Sequence, residues 1–180
     1  MQTMLVNLFG GPGVGKTTAM AFIYAELKMR GFECEMVTEF AKELFYEGND
    51  KAFSEQLYIL GTQYFRLINT SDNVDLMITD SPILLSTVYN NLIKGEQDFN
   101  NLVVKISENF HNVNYLLERK VKYSCRGRRQ NEEQANEVSK KVKEKLDEYG
   151  LDYKITSSSR EDLTKLIDEI IVNYNNFKNN

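Results

Sequence analysis

The chain has no tryptophan, one histidine, two cysteines and two prolines in 180 residues, and each scarcity removes a class of explanation. Cys34 and Cys125 lie far apart and lack metal-ligand spacing, so they read as reduced thiols and not as a disulfide framework. Pro12 and Pro82 each follow an apolar run, which marks strand-to-loop junctions and not a Pro-rich linker. His111, beside Phe110, carries no message by itself. No apolar run approaches the length of a bilayer span, and Met4 to Phe9 is too short for a signal-peptide core. A basic excess is missing too. The net charge of -4 disfavours bulk nucleic-acid binding, while leaving room for a local basic site. An Asn-Lys-x-Asp run, which would read guanine, occurs nowhere.

What remains is ordinary for a soluble protein of the cytoplasm: 42% hydrophobic and 27% charged residues. The length suits a single domain over 1–180, with a frayed tail over about 175–180 where Asn175, Asn176, Asn179 and Asn180 cluster.

Apolar periodicity predicts strands at Met4–Phe9, Glu35–Thr38, Asp75–Thr79, Val113–Leu117 and Tyr153–Thr156. Helices are expected over Thr17–Arg30, closed by Gly31, over Phe40–Tyr46, and as one long helix over Ala52–Asn69. That long helix would bury Phe53, Leu57, Leu60, Tyr64 and Ile68 on one face. Further helices fall near Ile83–Leu92 and Phe99–Phe110, then after caps at Asn131 and Ser159. Strands alternating with helices imply an α/β fold with a parallel sheet covered on both faces. Ligands of such sheets bind beyond the carboxyl ends of the strands.

Gly10-Gly11-Pro12-Gly13-Val14-Gly15-Lys16-Thr17 satisfies the P-loop pattern G-x-x-x-x-G-K-[ST] in full, between an apolar strand and a helix. Its glycines let backbone N–H groups turn inward on phosphate oxygens, and the helix adds its partial positive charge. Lys16 supplies a point charge for the β- and γ-phosphates of ATP, the Thr17 hydroxyl can ligate magnesium, and Thr18 continues the cradle. Asp80, ending Leu76-Met77-Ile78-Thr79, stands where a second acid orients Mg2+ through water; a turn or cap acid is the competing reading. Glu39, after the second strand, could take a proton from an acceptor hydroxyl, or serve only as a first-turn acid.

Arg119, Lys120, Lys122, Arg126, Arg128 and Arg129 form a basic segment, about 119–131, that reads as a lid with Gly127 as its loose point. Arg126, Arg128 and Arg129 would face the transferring phosphoryl group. Gln56 and Gln63, seven residues apart, could read the hydrogen-bonding edge of a substrate; half-exposed helix positions are the competing reading. Tyr58, Tyr64 and Phe65 are expected in the core before any role in stacking.

In this order the motifs resemble the P-loop nucleoside and nucleotide kinases. The chain is most similar to the nicotinamide-riboside-kinase-like ATPase/kinase family of bacteria and phages, across nearly its whole length. The markers are the Gly10–Thr17 loop, Glu39-Phe40, Gln56 with Gly61-Thr62-Gln63, Asp80-Ser81-Pro82 and Gly127-Arg128-Arg129-Gln130. The resemblance implies a three-layer P-loop fold, its five parallel strands ordered 2-3-1-4-5, and a mobile lid. It implies transfer of the γ-phosphate of ATP to a small nucleoside or (deoxy)nucleoside monophosphate, and it leaves a homodimer open. No adenylyltransferase domain is matched. The arginine-rich lid suits an acceptor that already carries phosphate. Two competing readings are a regulatory ATPase with a protein or DNA partner, and a kinase of modified bases in phage DNA.

Overall fold

A computed structural model describes residues 3–90, 96–120, 122–124 and 130–179. Met4–Phe9 forms β1, Lys16–Met29 α1, Cys34–Val37 β2 and Phe40–Tyr46 α2. Asp50–Ser54 is α3, Gln56–Ser71 α4, and Leu76–Thr79 β3, followed by a 3-10 turn at Ile83–Leu85. Ser86–Tyr89 is α5, Glu96–Ser107 α6, His111–Glu118 β4, Glu132–Glu148 α7, Lys154–Ser157 β5 and Arg160–Asn179 α8. The strands make one parallel sheet in the order β2-β3-β1-β4-β5, as expected for a P-loop NTPase fold.

β1 is buried along its whole length because it is central and covered on both faces. Alternate residues supply the two cores. Met4, Val6 and Leu8 join Ile23, Leu27, Leu163 and Ile167 from α1 and α8. Leu5 and Phe9 join Leu60, Leu67, Val103, Val142 and Leu146 from α4, α6 and α7. Burying one such side chain contributes about 1.5–3 kcal/mol, so the two layers together fix the sheet and the loops at its carboxyl edge. Among the described residues no helix is long and apolar enough to cross a membrane.

The structure corrects the expected helices in several places. The single helix over Ala52–Asn69 is two, broken at Glu55, whose φ of -93° and ψ of 91° are extended. Asn49 starts the first piece by accepting a hydrogen bond from the Ala52 N–H. The buried face of α4 is Ile59, Leu60, Gln63 and Leu67, while Leu57 is 59% exposed and Phe65 67% exposed. Tyr58 is exposed as well, edge-on to Phe40, so neither it nor Phe65 packs in the core. Of the helix expected over Ile83–Leu92, the part over 83–89 is a 3-10 turn and one short helical turn, and residues 91 and 92 lie outside the described residues. At the C-terminal end α8 runs through Asn175 and Asn176 to Asn179, where a frayed tail was expected. The apolar residues of this helix reach Phe177, whose ring packs on His111. Lys178 pairs with Asp75 at 2.7 Å beside it.

Candidate active site

Every candidate that the structure describes lies on, or runs from, a loop at the carboxyl edge of the sheet. The loop after β1 carries Gly10 to Gly15 and passes directly into α1. Gly15 caps α1 with φ 97°, a left-handed conformation that only glycine adopts cheaply. A methyl group on Gly15 would also strike the Ser158 Cβ at 2.6 Å. At Gly11 it would lie 2.7 Å from the Ala135 carbonyl of α7. The loop is therefore seated between α7 and the β5–α8 junction, with no room for a side chain at Gly11 or Gly15. Val14 turns its own side chain into the core, leaving its backbone to face outward chemistry.

The Lys16 ammonium donates to the carbonyls of Gly10 at 2.8 Å and Gly11 at 3.2 Å, which lays the cation across the loop. The Thr17 hydroxyl donates to Asp80 Oδ2 at 2.6 Å, so the two residues expected at the metal come together across β1 and β3. Asp80 is 2% exposed, and its Oδ1 is buried with no hydrogen-bond partner. An ionised carboxylate does not leave an oxygen bare in the interior without cost. A small hard cation between Oδ1 and the threonine would satisfy it, and magnesium needs few protein ligands because phosphates and water supply the rest. These residues fit magnesium. Among the described residues no cluster of three or more His, Cys, Asp or Glu forms a separate metal site.

A cavity of about 410 Å³ opens beside this pair, within the size range of small-ligand sites. One wall is the loop, through Pro12, Gly13, Gly15, Lys16, Thr17 and Thr18. The opposite wall comes from α2, α3 and α4, with Glu39, Lys42, Phe45, Tyr46, Phe53, Gln56 and Gln63. Ile83, Leu85 and Tyr89 close one side. Burial, with the Glu39 carboxylate adding to it, holds the Tyr89 hydroxyl above its ordinary range. Tyr89 is thus a proton-bearing donor at neutral pH.

The two glutamines separate. Gln56 is half-buried and lines the cavity. Gln63 also lines it, but its amide is committed to the backbone: Oε1 accepts from the Phe40 N–H at 3.0 Å and Nε2 donates to the Thr38 carbonyl at 3.3 Å. Gln63 therefore holds the β2–α2 junction on either side of Glu39. Its neighbour Arg66 ties α4 to α2 again, through both oxygens of Glu43 at 2.8 and 2.5 Å.

The basic segment divides as well. Arg119, only 13% exposed along its side chain, donates to the Pro12 carbonyl at 2.9 Å and to Asn136 at 2.8 Å, and lies over the Tyr123 ring. Lys120 pairs with Asp162 at 2.8 Å. Hydrogen bonds from Lys120, Ser157 and Ser159 hold the Asp162 carboxyl far below its ordinary range. Arg119 and Lys120 thus brace the phosphate loop and the β5–α8 junction. Gly127 and the candidates Arg126, Arg128 and Arg129 lie outside the described residues.

Sequence reasoning missed Lys42, Phe45, Tyr46 and Tyr89. Lys42 and Tyr46 were findable: counted from Glu39 along a helix, positions three and seven residues later share its face, and Phe45 follows Lys42 by three. Tyr89 carried no such signal.

A family model described as an AAA domain matches residues 5–162. Among solved structures, a NadR protein in complex with NR is similar with a TM-score of 0.71 at 17% identity, covering 93% of this chain and 48% of that one. A NadR protein in complex with NAD and AMP-PNP gives 0.65 at 15% identity, with 93% and 48% covered. The chain thus spans about half the length of those proteins. Deoxyadenosine kinase from M. mycoides, with products dCMP and a flexible dCDP bound, gives 0.60 at 20% identity, covering 96% of this chain and 100% of that one. At these identities the likeness is one of fold. No curated protein sequence matches the chain.

Proposed function

The chain belongs to the AAA-domain family, and from that premise we propose that it is an ATP-dependent phosphotransferase. Its acceptor is a nucleoside or a (deoxy)nucleoside monophosphate. The observation that carries this reading is the single cavity with a phosphate loop on one wall and Glu39, aromatic rings and Gln56 on the other. A machine for ATP hydrolysis alone needs the first wall and has no use for a second of this composition. The likeness of fold to a deoxyadenosine kinase and to a NadR protein with NR bound supports it.

In this reading the loop N–H groups and the N-terminus of α1 bind the phosphates of ATP, and Lys16 neutralises charge on the β- and γ-groups. Thr17 and Asp80 would hold magnesium, which supplies further positive charge to those oxygens. Where the acceptor is a hydroxyl, Glu39 takes its proton. Tyr89 donates a hydrogen bond into the same space, and Gln56 orients the far end of the acceptor. Arg126, Arg128 and Arg129 remain the proposed partners of the transferring phosphoryl group.

The test is ADP release with ATP and magnesium, alone and with nucleosides, deoxynucleoside monophosphates, nicotinamide riboside or DNA. One small acceptor should stimulate release strongly and yield its own phosphorylated product. Asp80→Asn should lower that stimulated rate by about 10- to 100-fold, as loss of a group orienting a metal does. Stimulation by DNA alone, or by no acceptor, would remove the assignment.

A further inference from the structure

The second wall of the cavity carries a cation that the reaction as described does not use. Lys42 sits three residues after Glu39 on the same face of α2, is half-buried, and lines the cavity. Among the described residues it has no carboxylate partner. Lys51, Lys105, Lys122, Lys141 and Arg160 likewise have no carboxylate partner among the described residues, and all five are exposed. Those five are solvated and cost nothing. Lys42 alone among these cations lines the cavity, where its ammonium can meet an anionic group of a bound molecule.

Three and four residues further along α2 stand Phe45 and Tyr46, so the wall offers a positive charge beside aromatic rings. Lys42 and Phe45 are separated by about 4.5 Å of helix rise. A phosphate on Lys42 leaves room for a sugar, with a base against the rings. We propose that Lys42 pairs with a phosphate already present on the acceptor, which makes the acceptor a nucleoside monophosphate and not a neutral nucleoside. The inference rests on the phosphotransfer reading and narrows its substrate class. When that phosphate is the acceptor, one of its ionised oxygens bonds to the γ-phosphorus of ATP while the bond from that phosphorus to the β–γ bridging oxygen breaks and ADP leaves; no proton has to be removed, and Glu39 holds a sugar hydroxyl instead.

The test is calorimetric binding, in AMP-PNP and magnesium, of dAMP, dCMP, dGMP and dTMP against the four matching deoxynucleosides and a short single-stranded DNA. The wild-type chain should bind its best monophosphate at least about 10-fold more tightly than the matching nucleoside, the range of a charge-assisted pair. Lys42→Met should erase that difference without changing nucleoside binding or the thermal midpoint, and Lys42→Arg should keep it. A preference that survives Lys42→Met, no preference, no binding, or DNA binding as tight as the best monophosphate each overturns the inference. Transfer is scored separately. Phosphorylation of nucleosides with monophosphates ignored keeps the kinase and overturns the role of Lys42. A monophosphate preference erased by Lys42→Met, with no transfer to any acceptor, keeps Lys42 and removes the kinase.

Discussion

At Gly11 the phosphate loop runs so close to α7 that one methyl group has nowhere to go. Its Cβ would stand 2.7 Å from the Ala135 carbonyl and 2.8 Å from the Ser139 N–H nitrogen, both backbone atoms of a helix. A flexible side chain could swing aside; a helix backbone cannot. Gly11→Ala should therefore destabilise by about 1–3 kcal/mol in urea denaturation, the usual range for overpacking. It should also weaken AMP-PNP binding, because the loop must shift to relieve the overlap. Unchanged stability would mean that the loop is not wedged there.

Cys34 gives a second residue-scale outcome. Burial, opposed by Lys28 and assisted by Glu35 and Glu33, pushes its thiol up to about 11 from an ordinary 9.0. The folded state thus favours the protonated thiol, and the stability it adds is complete below pH 9.0 and lost as pH rises towards about 11. Native protein at pH 8 should resist alkylation at this position. Cys34→Ala should flatten the decline in stability over the window from pH 9.0 to about 11.

Among the elements, α4 decides where Glu39 stands. Gln63 supplies the only hydrogen bond shown to the Phe40 N–H among the described residues, and it also binds the Thr38 carbonyl. Gln63→Leu leaves a buried donor unpaired, at a cost of about 1–3 kcal/mol. Acceptor turnover should fall with it, since Glu39 loses its support. Gln56→Leu, on the same helix but lining the cavity, should raise the acceptor KM with stability unchanged. Equal effects of the two substitutions on urea midpoint would contradict the division of roles.

The same helix marks where the sequence was readable and where it was not. Asn131 announced α7, and the structure has both halves of a capping box there, with Gln134 reaching back to the Asn131 N–H at 2.9 Å. The Gly10–Thr17 loop was legible because its chemistry is local: glycines, a lysine and a hydroxyl in adjacent positions. Asp80 was legible from its place at a strand end, and its contact with Thr17 follows from the pairing of β1 with β3. The face of α4 was legible in part: Leu60 is buried and Tyr64 and Ile68 pack against the core as expected, while Leu57 is exposed. A polar Gln63 inside that face is tolerated only because two backbone groups distant in sequence satisfy its amide, so counting apolar residues missed it. The break at Glu55 has neither glycine nor proline to signal it. It is set by the capped turn at Asn49 and by the packing of α2, α3 and α4 around Phe40, Leu44 and Ile59.

For the molecule as a whole, the sheet order is what assembles the site. Placing β1 between β3 and β4 gathers the phosphate loop, Asp80 and Arg119 at one edge, and β2 beyond β3 brings Glu39 across from them. β5 adds Ser158 behind Gly15. In parallel sheets this edge is where ligands bind, and here it carries two facing walls of different chemistry. The central claim is that the two walls act on two substrates at once. The most direct measurement follows the label from γ-labelled ATP, with magnesium and the panel of small acceptors. Label should appear in one phosphorylated small molecule, in amounts equal to the ADP formed. Label recovered only as inorganic phosphate across the whole panel, or only on DNA, would contradict it.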